Sequence, residues 1–414
     1  MKTTLISMIG TGMYVEKDSG YRTTKYEFRD GNTFETHLFL EALLQNNLGQ
    51  NIDKIIIVGT ITSDWGALIA NYNEYTELSL KLLENKKIIS KETFSELEAT
   101  LSKMYKKDVQ IFYHTDEIDS ETTEEIFNVY KEISKSIPQG SKILFDITHG
   151  FRSMPILLYQ TLQYAFQNEF SDSLSIIYGE YIPTEKISKV RDLSGYLEYA
   201  EIASGFKLFN ERFDGRILAE KLKPYWEDGA KWLKRFTSLV QTNYFIQIFE
   251  VQSNLNNVLI KKLPENLPSW VEDVREQLII LNKRLIIKDK SKLLFEFSKI
   301  LAEKKLYTQA IIALQVSVEA KGVEMFGDWD KLGDYDYYKQ TIRNEFKDFL
   351  KNGFEQKHGQ KAKTRIYELE GVRNQVAHGG AKNKNTGGSP QAENIAKQYD
   401  SFVQIVEKLL EYEV

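Results

Sequence analysis

The stretch Ile143-Leu144-Phe145-Asp146-Ile147-Thr148-His149-Gly150-Phe151-Arg152-Ser153-Met154-Pro155 runs from an apolar segment into a turn of small, hydroxylated and basic residues, then into a helical pattern. This is the sequence form of a strand that ends in a βα turn. The same form recurs at Leu5-Ile6-Ser7-Met8-Ile9-Gly10-Thr11-Gly12 and at Val58-Gly59-Thr60-Ile61-Thr62-Ser63-Asp64. Working outward, strands are expected at 5–9, 54–59, 109–114, 142–147 and 174–178, with 179–191 returning as an edge hairpin. Helices are expected at 34–47, 64–86, 91–106, 122–136 and 153–168. Strands alternating with helices make a Rossmann-like, mainly parallel sheet, an α/β fold.

In such a sheet the carboxyl ends of the strands face a crevice, and the following helix offers free N–H groups to an anion. Gly10, Gly12 and Gly150 let backbone approach a ligand. Thr11, Thr60, Thr62, Thr148 and Ser153 supply hydroxyls, and Arg152 supplies a planar fork suited to phosphate. The site suits a phosphorylated ligand, although Gly-Thr-Gly fits neither the complete dinucleotide fingerprint nor a Walker loop. His149 reads equally as a ligand contact or as a turn stabiliser. Asp146, inside an apolar strand, reads as a buried hydrogen-bonding residue before it reads as an acid catalyst, and Asp64 as a helix N-cap.

From about residue 195 onward the periodicity is helical to the end. The 414 residues therefore divide into an α/β domain (1–194), a helical connecting region (195–290) and an all-α terminal bundle (291–414), with a small, polar loop at 381–390. The composition, 42% hydrophobic and 27% charged with a mean hydropathy of −0.40, is that of a soluble globular protein. No apolar run approaches the ~20 residues of a membrane helix, so a cytoplasmic protein with no membrane partner is expected. Zero cysteines exclude disulfides, thiol nucleophiles and Cys-ligated metals, which leaves 5 histidines as imidazole candidates. The net charge of −5 averages two unlike halves: residues 1–190 carry −8 and residues 191–414 carry +3.

The second constellation is Gly371-Val372-Arg373-Asn374-Gln375-Val376-Ala377-His378-Gly379-Gly380. On a helix, Asn374 and His378 share a face, while Arg373 lies about 140° away from His378. Two such helices facing one another would pool these residues. A histidine that moves a proton and an arginine that stabilises a phosphorane suit RNA cleavage by its own 2'-OH, with no metal needed. A C-terminal helix histidine followed by glycine is an equally simple structural account of His378. Lys357, Lys361, Lys363, Arg365, Arg373, Lys382 and Lys384 make the surrounding stretch basic. Glu319, on an otherwise apolar helix, is a candidate partner for Arg373.

The segment Asp146–Pro155, with the opening Ser7-Met8-Ile9-Gly10-Thr11-Gly12 and Tyr14, resembles the CRISPR-associated CARF domain family of type III systems. It is most similar to the branch in which a CARF sensor is fused to a HEPN ribonuclease. The motif around Arg373, Asn374 and His378 resembles that of HEPN ribonucleases. The resemblance implies a homodimer activated by cyclic oligoadenylate, tetra- or hexa-adenylate, bound through Gly10, Thr11, Gly12, Thr60, Thr62, Thr148, His149, Gly150, Arg152 and Ser153. It implies cleavage of single-stranded RNA by Arg373, Asn374 and His378, without metal or other cofactor, to 2',3'-cyclic phosphate and 5'-OH ends. It further implies an antiviral role without a stable complex with the CRISPR effector; a competing reading places chemistry in the sensor, where Thr148, His149 and Arg152 would promote slow cleavage of the bound activator. The alternative is a sensor that regulates through its helical half without cutting.

Overall fold

The computed structural model describes residues 2–15, 18–70, 72–84, 89–115, 122–150, 154–167, 171–331, 334–377 and 394–412. The chain forms two compact units, residues 1–198 and 199–414.

The first unit is built on an eight-stranded sheet. Its strands are β1 (Thr3–Met8), β4 (Thr24–Glu27), β5 (Thr33–Thr36), β6 (Lys54–Thr60), β7 (Asp108–His114), β8 (Ser141–Asp146), β9 (Ser171–Ile182) and β10 (Ile187–Asp192); β2 (Met13–Val15) and β3 (Asp18–Gly20) form a separate small hairpin. The order is β5-β4-β10-β9-β8-β1-β6-β7. Strands β7, β6, β1, β8 and β9 run parallel, with Leu5 of β1 opposite Ile55 of β6 and Leu144 of β8. After the outer strands β4 and β5, the chain lays β6 and β7 on one side of β1, then returns to lay β8 on the other. The carboxyl ends of β1 and β8 thus flank a topological switch point.

Successive residues of the central strands point to opposite faces. Leu5, Ile55 and Ile57 join Trp65, Phe94 and Leu97 in one apolar cluster, while Ile6, Ile56, Val58 and Phe145 join Ile126, Tyr130 and Leu158 in another. Helices Phe39–Gln45, Thr76–Glu84 and Lys91–Tyr105 supply the first layer, and Thr123–Ser136 and Met154–Gln167 the second. Burial on both faces explains why these strands read as unbroken apolar runs.

Three expectations need correction. The helix expected at 34–47 begins only at Phe39, because Thr33–Thr36 pairs antiparallel with Thr24–Glu27 around Asp30-Gly31, where Gly31 takes the left-handed φ of +84° that such a turn favours. The helix expected at 64–86 is interrupted. Its start is a short 3₁₀ turn, Trp65–Leu68, because Trp65 is buried and donates its indole N–H to the Thr60 carbonyl at 3.0 Å, and the α-helix forms only at Thr76–Glu84. The β9–β10 hairpin is present but is not an edge, since β4 lies parallel on the outer side of β10.

The second unit is helical and organised round a single apolar core that runs from Ile202 to Leu410, so it takes in both the 195–290 region and the 291–414 bundle. Helices Lys290–Glu303 and Tyr307–Phe326 form a tight hairpin, against which Gln360–Ala377 and Ile395–Leu410 pack. No helix among the described residues is long and apolar enough to cross a membrane.

Candidate functional site

At the switch point a cavity of about 380 Å³ opens among Gly10, Thr11 and Gly12 after β1, Thr148, His149 and Gly150 after β8, and residues of the β4–β10–β9 side of the sheet. Its geometry is set from below by Asp146. This residue is fully buried and accepts from Ser7 Oγ at 2.6 Å and from the Thr148 N–H at 2.8 Å, which fixes the turn to β1. Burial lifts its carboxyl to about 6, against the pull of the Ser7 and Thr148 hydrogen bonds. Thr148 Oγ1 in turn accepts the Gly179 N–H at 2.9 Å and ties the turn to β9. Asp146 is thus the buried hydrogen-bonding residue its apolar strand suggests.

Gly10 sits where the two turns nearly touch. A Cβ there would lie 2.6 Å from the His149 carbonyl oxygen, so only glycine fits. The Tyr21 hydroxyl accepts the Gly10 N–H at 2.7 Å and donates to the Gly10 carbonyl at 2.8 Å, clamping the β1 turn from the opposite side. His149 packs edge-on against the Tyr21 ring, with centroids 4.6 Å apart. Its Nε2 accepts the Phe39 N–H at 3.1 Å and lies 3.3 Å from the Tyr26 hydroxyl. A backbone N–H can only donate, so Nε2 is unprotonated and the ring proton sits on Nδ1. Burial, aided by nearby His37, lowers the ring to about 3. His149 is therefore a neutral turn-holding residue that lines the cavity; both readings of it have a structural basis.

Six expected residues, Gly10, Thr11, Gly12, Thr148, His149 and Gly150, meet at this cavity. Thr60 and Thr62 are not among its lining residues. Thr60 is buried, with its N–H and hydroxyl both directed to Ser63 Oγ, whose own hydroxyl bonds the Ile9 carbonyl; the β6 end folds back on itself. Asp64 is buried as well and does not cap the 3₁₀ turn with its side chain. Arg152 and Ser153 lie outside the described residues.

Sequence reading missed the second wall: Tyr21, Arg22, Thr24, Tyr26, Tyr178, Gly179, Tyr181 and Ser188. The signal was Tyr21-Arg22-Thr23-Thr24-Lys25-Tyr26-Glu27-Phe28, whose period-2 burial, with Thr24, Tyr26 and Phe28 inside, marks a strand ahead of the Asp30-Gly31 turn. The complete described lining holds no carboxylate and one charged side chain, Arg22. Hydroxyls, phenols and a cation inside an acidic unit make a local anion site within an unfavourable overall field.

In the second unit, Arg373 and Asn374 lie on the last turns of the Gln360–Ala377 helix, whose Ile366 and Leu369 face the core; His378 lies outside the described residues. Arg373 Nη2 donates to Glu319 Oε1 at 3.2 Å, and Gln315 donates to the same oxygen at 3.2 Å. Burial raises the Glu319 carboxyl, opposed by its hydrogen bond from Gln315 and by the charge of Arg373. Beside this pair, Arg343 binds Glu370 at 2.7 Å. Much of the local basicity is spent inside the fold: Lys363 pairs with Glu355, Arg365 with Glu368, and Lys357 lies 4.6 Å from the Tyr412 ring centroid. Among the described residues no group of three or more His, Asp or Glu side chains is placed to hold a metal ion.

Comparison with known families matches residues 4–180 to the model described as CRISPR system endoribonuclease Csx1, CARF domain. The N-terminal unit is a CARF domain. The central parallel strands and the paired turns after β1 and β8 lie within the matched span, while β10 and the cavity residues Tyr181 and Ser188 lie beyond its end. Over its whole length the chain is similar to CRISPR-associated protein MJ1674 of Methanocaldococcus jannaschii, with 23% identity over 450 residues that take in 99% of this chain and 68% of that protein. The chain thus carries a CARF domain followed by a helical unit. A CARF domain implies cyclic oligoadenylate as the ligand sensed.

Proposed function

We propose that the chain is an endoribonuclease of a type III CRISPR antiviral system, switched on by cyclic oligoadenylate. The observation that carries the first half is the CARF cavity: it lies at the switch point, has no carboxylate in its described lining and presents hydroxyls, phenols and Arg22 to an anion. In the second half, Arg373 stabilises the phosphorane, His378 positions or deprotonates the 2'-OH, and Asn374 orients the histidine or contacts phosphate. Single-stranded RNA then leaves as 2',3'-cyclic phosphate and 5'-OH ends, and no metal takes part. Two copies would pool the helix residues that one helix alone splays about 140° apart. Ligand binding favours the active arrangement only through unequal affinity for the two states.

The test is a fluorogenic RNA cleavage assay with chelator present, run against a panel of cyclic oligoadenylates. Stimulation by one ring, lost in His378→Ala while ring binding persists, is expected; no stimulation by any ring would sink the proposal. The Arg373–Glu319 ion pair favours one second reading, in which the helical unit regulates without cutting and Arg373 is structural. That reading requires His378→Ala to leave every ligand-dependent activity intact. Slow cleavage of the activator within the cavity gains little support from His149, because Nε2 is already occupied and Nδ1 carries the proton.

A further inference from the structure

The cavity has two walls of different chemistry. The turns after β1 and β8 offer backbone and hydroxyls; the opposite wall, from Tyr21 to Tyr26 and along β9 and β10, offers aromatic rings and a cation. That cation, Arg22, is exposed yet held. Its Nη1 donates to the Tyr181 hydroxyl at 3.1 Å, and its Cζ lies 5.7 Å from the centroid of the same ring. Neither contact neutralises it, and it has no acidic partner among the described residues. A guanidinium has five N–H donors in a fixed fork, so most of its hydrogen-bonding capacity faces outward, already oriented by Tyr181.

We propose that Arg22, presented by Tyr181, is the phosphate-recognising residue of the cavity and the one that makes it select an oligonucleotide over a mononucleotide. The assignment rests on the reading of the cavity as an oligoadenylate site and sharpens it. A ligand that engages both walls needs anionic groups at two positions, one at the turns and one at Arg22. Linked nucleotides have them, and a nucleoside monophosphate does not. The tyrosines of the same wall offer stacking faces to the bases between.

Calorimetric titration of the full chain tests this with cyclic tetra-adenylate, cyclic hexa-adenylate and adenosine monophosphate, for the wild type and for Arg22→Ala, Arg22→Lys and Tyr181→Phe. Arg22 is exposed, so unchanged circular dichroism is the expected control. Arg22→Ala should weaken the preferred ring by ~30-fold or more and Arg22→Lys by less, because the charge remains and the fork does not. The slope of log affinity against log salt should fall by about one in Arg22→Ala. Tyr181→Phe should weaken the ring by roughly fivefold, the size of one hydrogen bond, and the preference of the wild type for the ring over the monophosphate should shrink in Arg22→Ala. Ring binding by Arg22→Ala within twofold of wild type overturns the proposal. A wild type that binds neither ring overturns instead the oligoadenylate reading. Pyrophosphate then serves as the probe, and the Arg22 assignment falls if wild type and Arg22→Ala titrate it alike.

Discussion

Asp146 and His149 are three residues apart at one turn, the first buried and the second half-buried, and displaced in opposite directions, to about 6 and about 3. An unfolded Asp ionises above about 4, whereas Asp146 in the fold holds its proton to about 6, so its contribution to stability falls as pH rises between these values. An unfolded His takes a proton below about 6.5, which folded His149 refuses down to about 3, so its contribution rises with pH over that range. From pH 4 to 6 the two slopes cancel. Asp146→Asn, which keeps an acceptor for Thr148, should therefore gain stability over the wild type by about 3 kcal/mol between pH 4 and 7. His149→Asn should shift the opposite way. Chemical denaturation across that pH range checks both, and parallel profiles for all three proteins would refute the assignment. Because folded His149 does not titrate near neutrality, ligand affinity should show no inflection from it between pH 5.5 and 8.

Among the elements, the turn after β1 is the least tolerant. Gly10→Ala places a methyl against the His149 carbonyl, a backbone atom that cannot rotate away. Expected are a loss of about 2 kcal/mol of stability and at least ~10-fold weaker ring binding, measured by thermal denaturation and calorimetry. In the helical unit, Glu319→Gln keeps the shape and loses the charge partner of Arg373. The ion pair is partly exposed, so the cost should be about 1 kcal/mol, measured by chemical denaturation. The central parallel strands and the turns Gly10–Gly12 and Thr148–Gly150 were legible because double burial gives uninterrupted apolar runs broken by small residues. The outer strands were not. Thr24–Glu27 and Thr33–Thr36 are four residues each with polar residues among them, and β10, which ties Thr24–Glu27 to the rest of the sheet, lies some 160 residues later, where no local pattern points to it. Thr60 and Thr62 lie apart from the cavity lining, and a hydroxyl at a strand end reads the same in sequence whether it faces a cavity or, like Thr60, a neighbouring serine.

At the scale of the whole chain, each unit encloses its own apolar core, in residues 1–198 and 199–414. A fragment ending at Glu198 should therefore fold and bind the ring with an affinity within about threefold of the full chain's, apart from any coupling to the second unit, and cut no RNA. Circular dichroism, calorimetry and the fluorogenic assay check the three parts of that statement. The order of the sheet carries a separate consequence for biogenesis. Strand β1 is made before the other strands of the sheet but occupies its middle, with Thr4–Met8 waiting for Lys54–Val58 on one side and Thr3–Ser7 for Lys142–Asp146 on the other. Until the second partner emerges, Leu5, Ile6 and Met8 have an open ladder edge and incomplete cover. Closure of β8 onto a strand made long before it should therefore be the slow step in assembling this sheet.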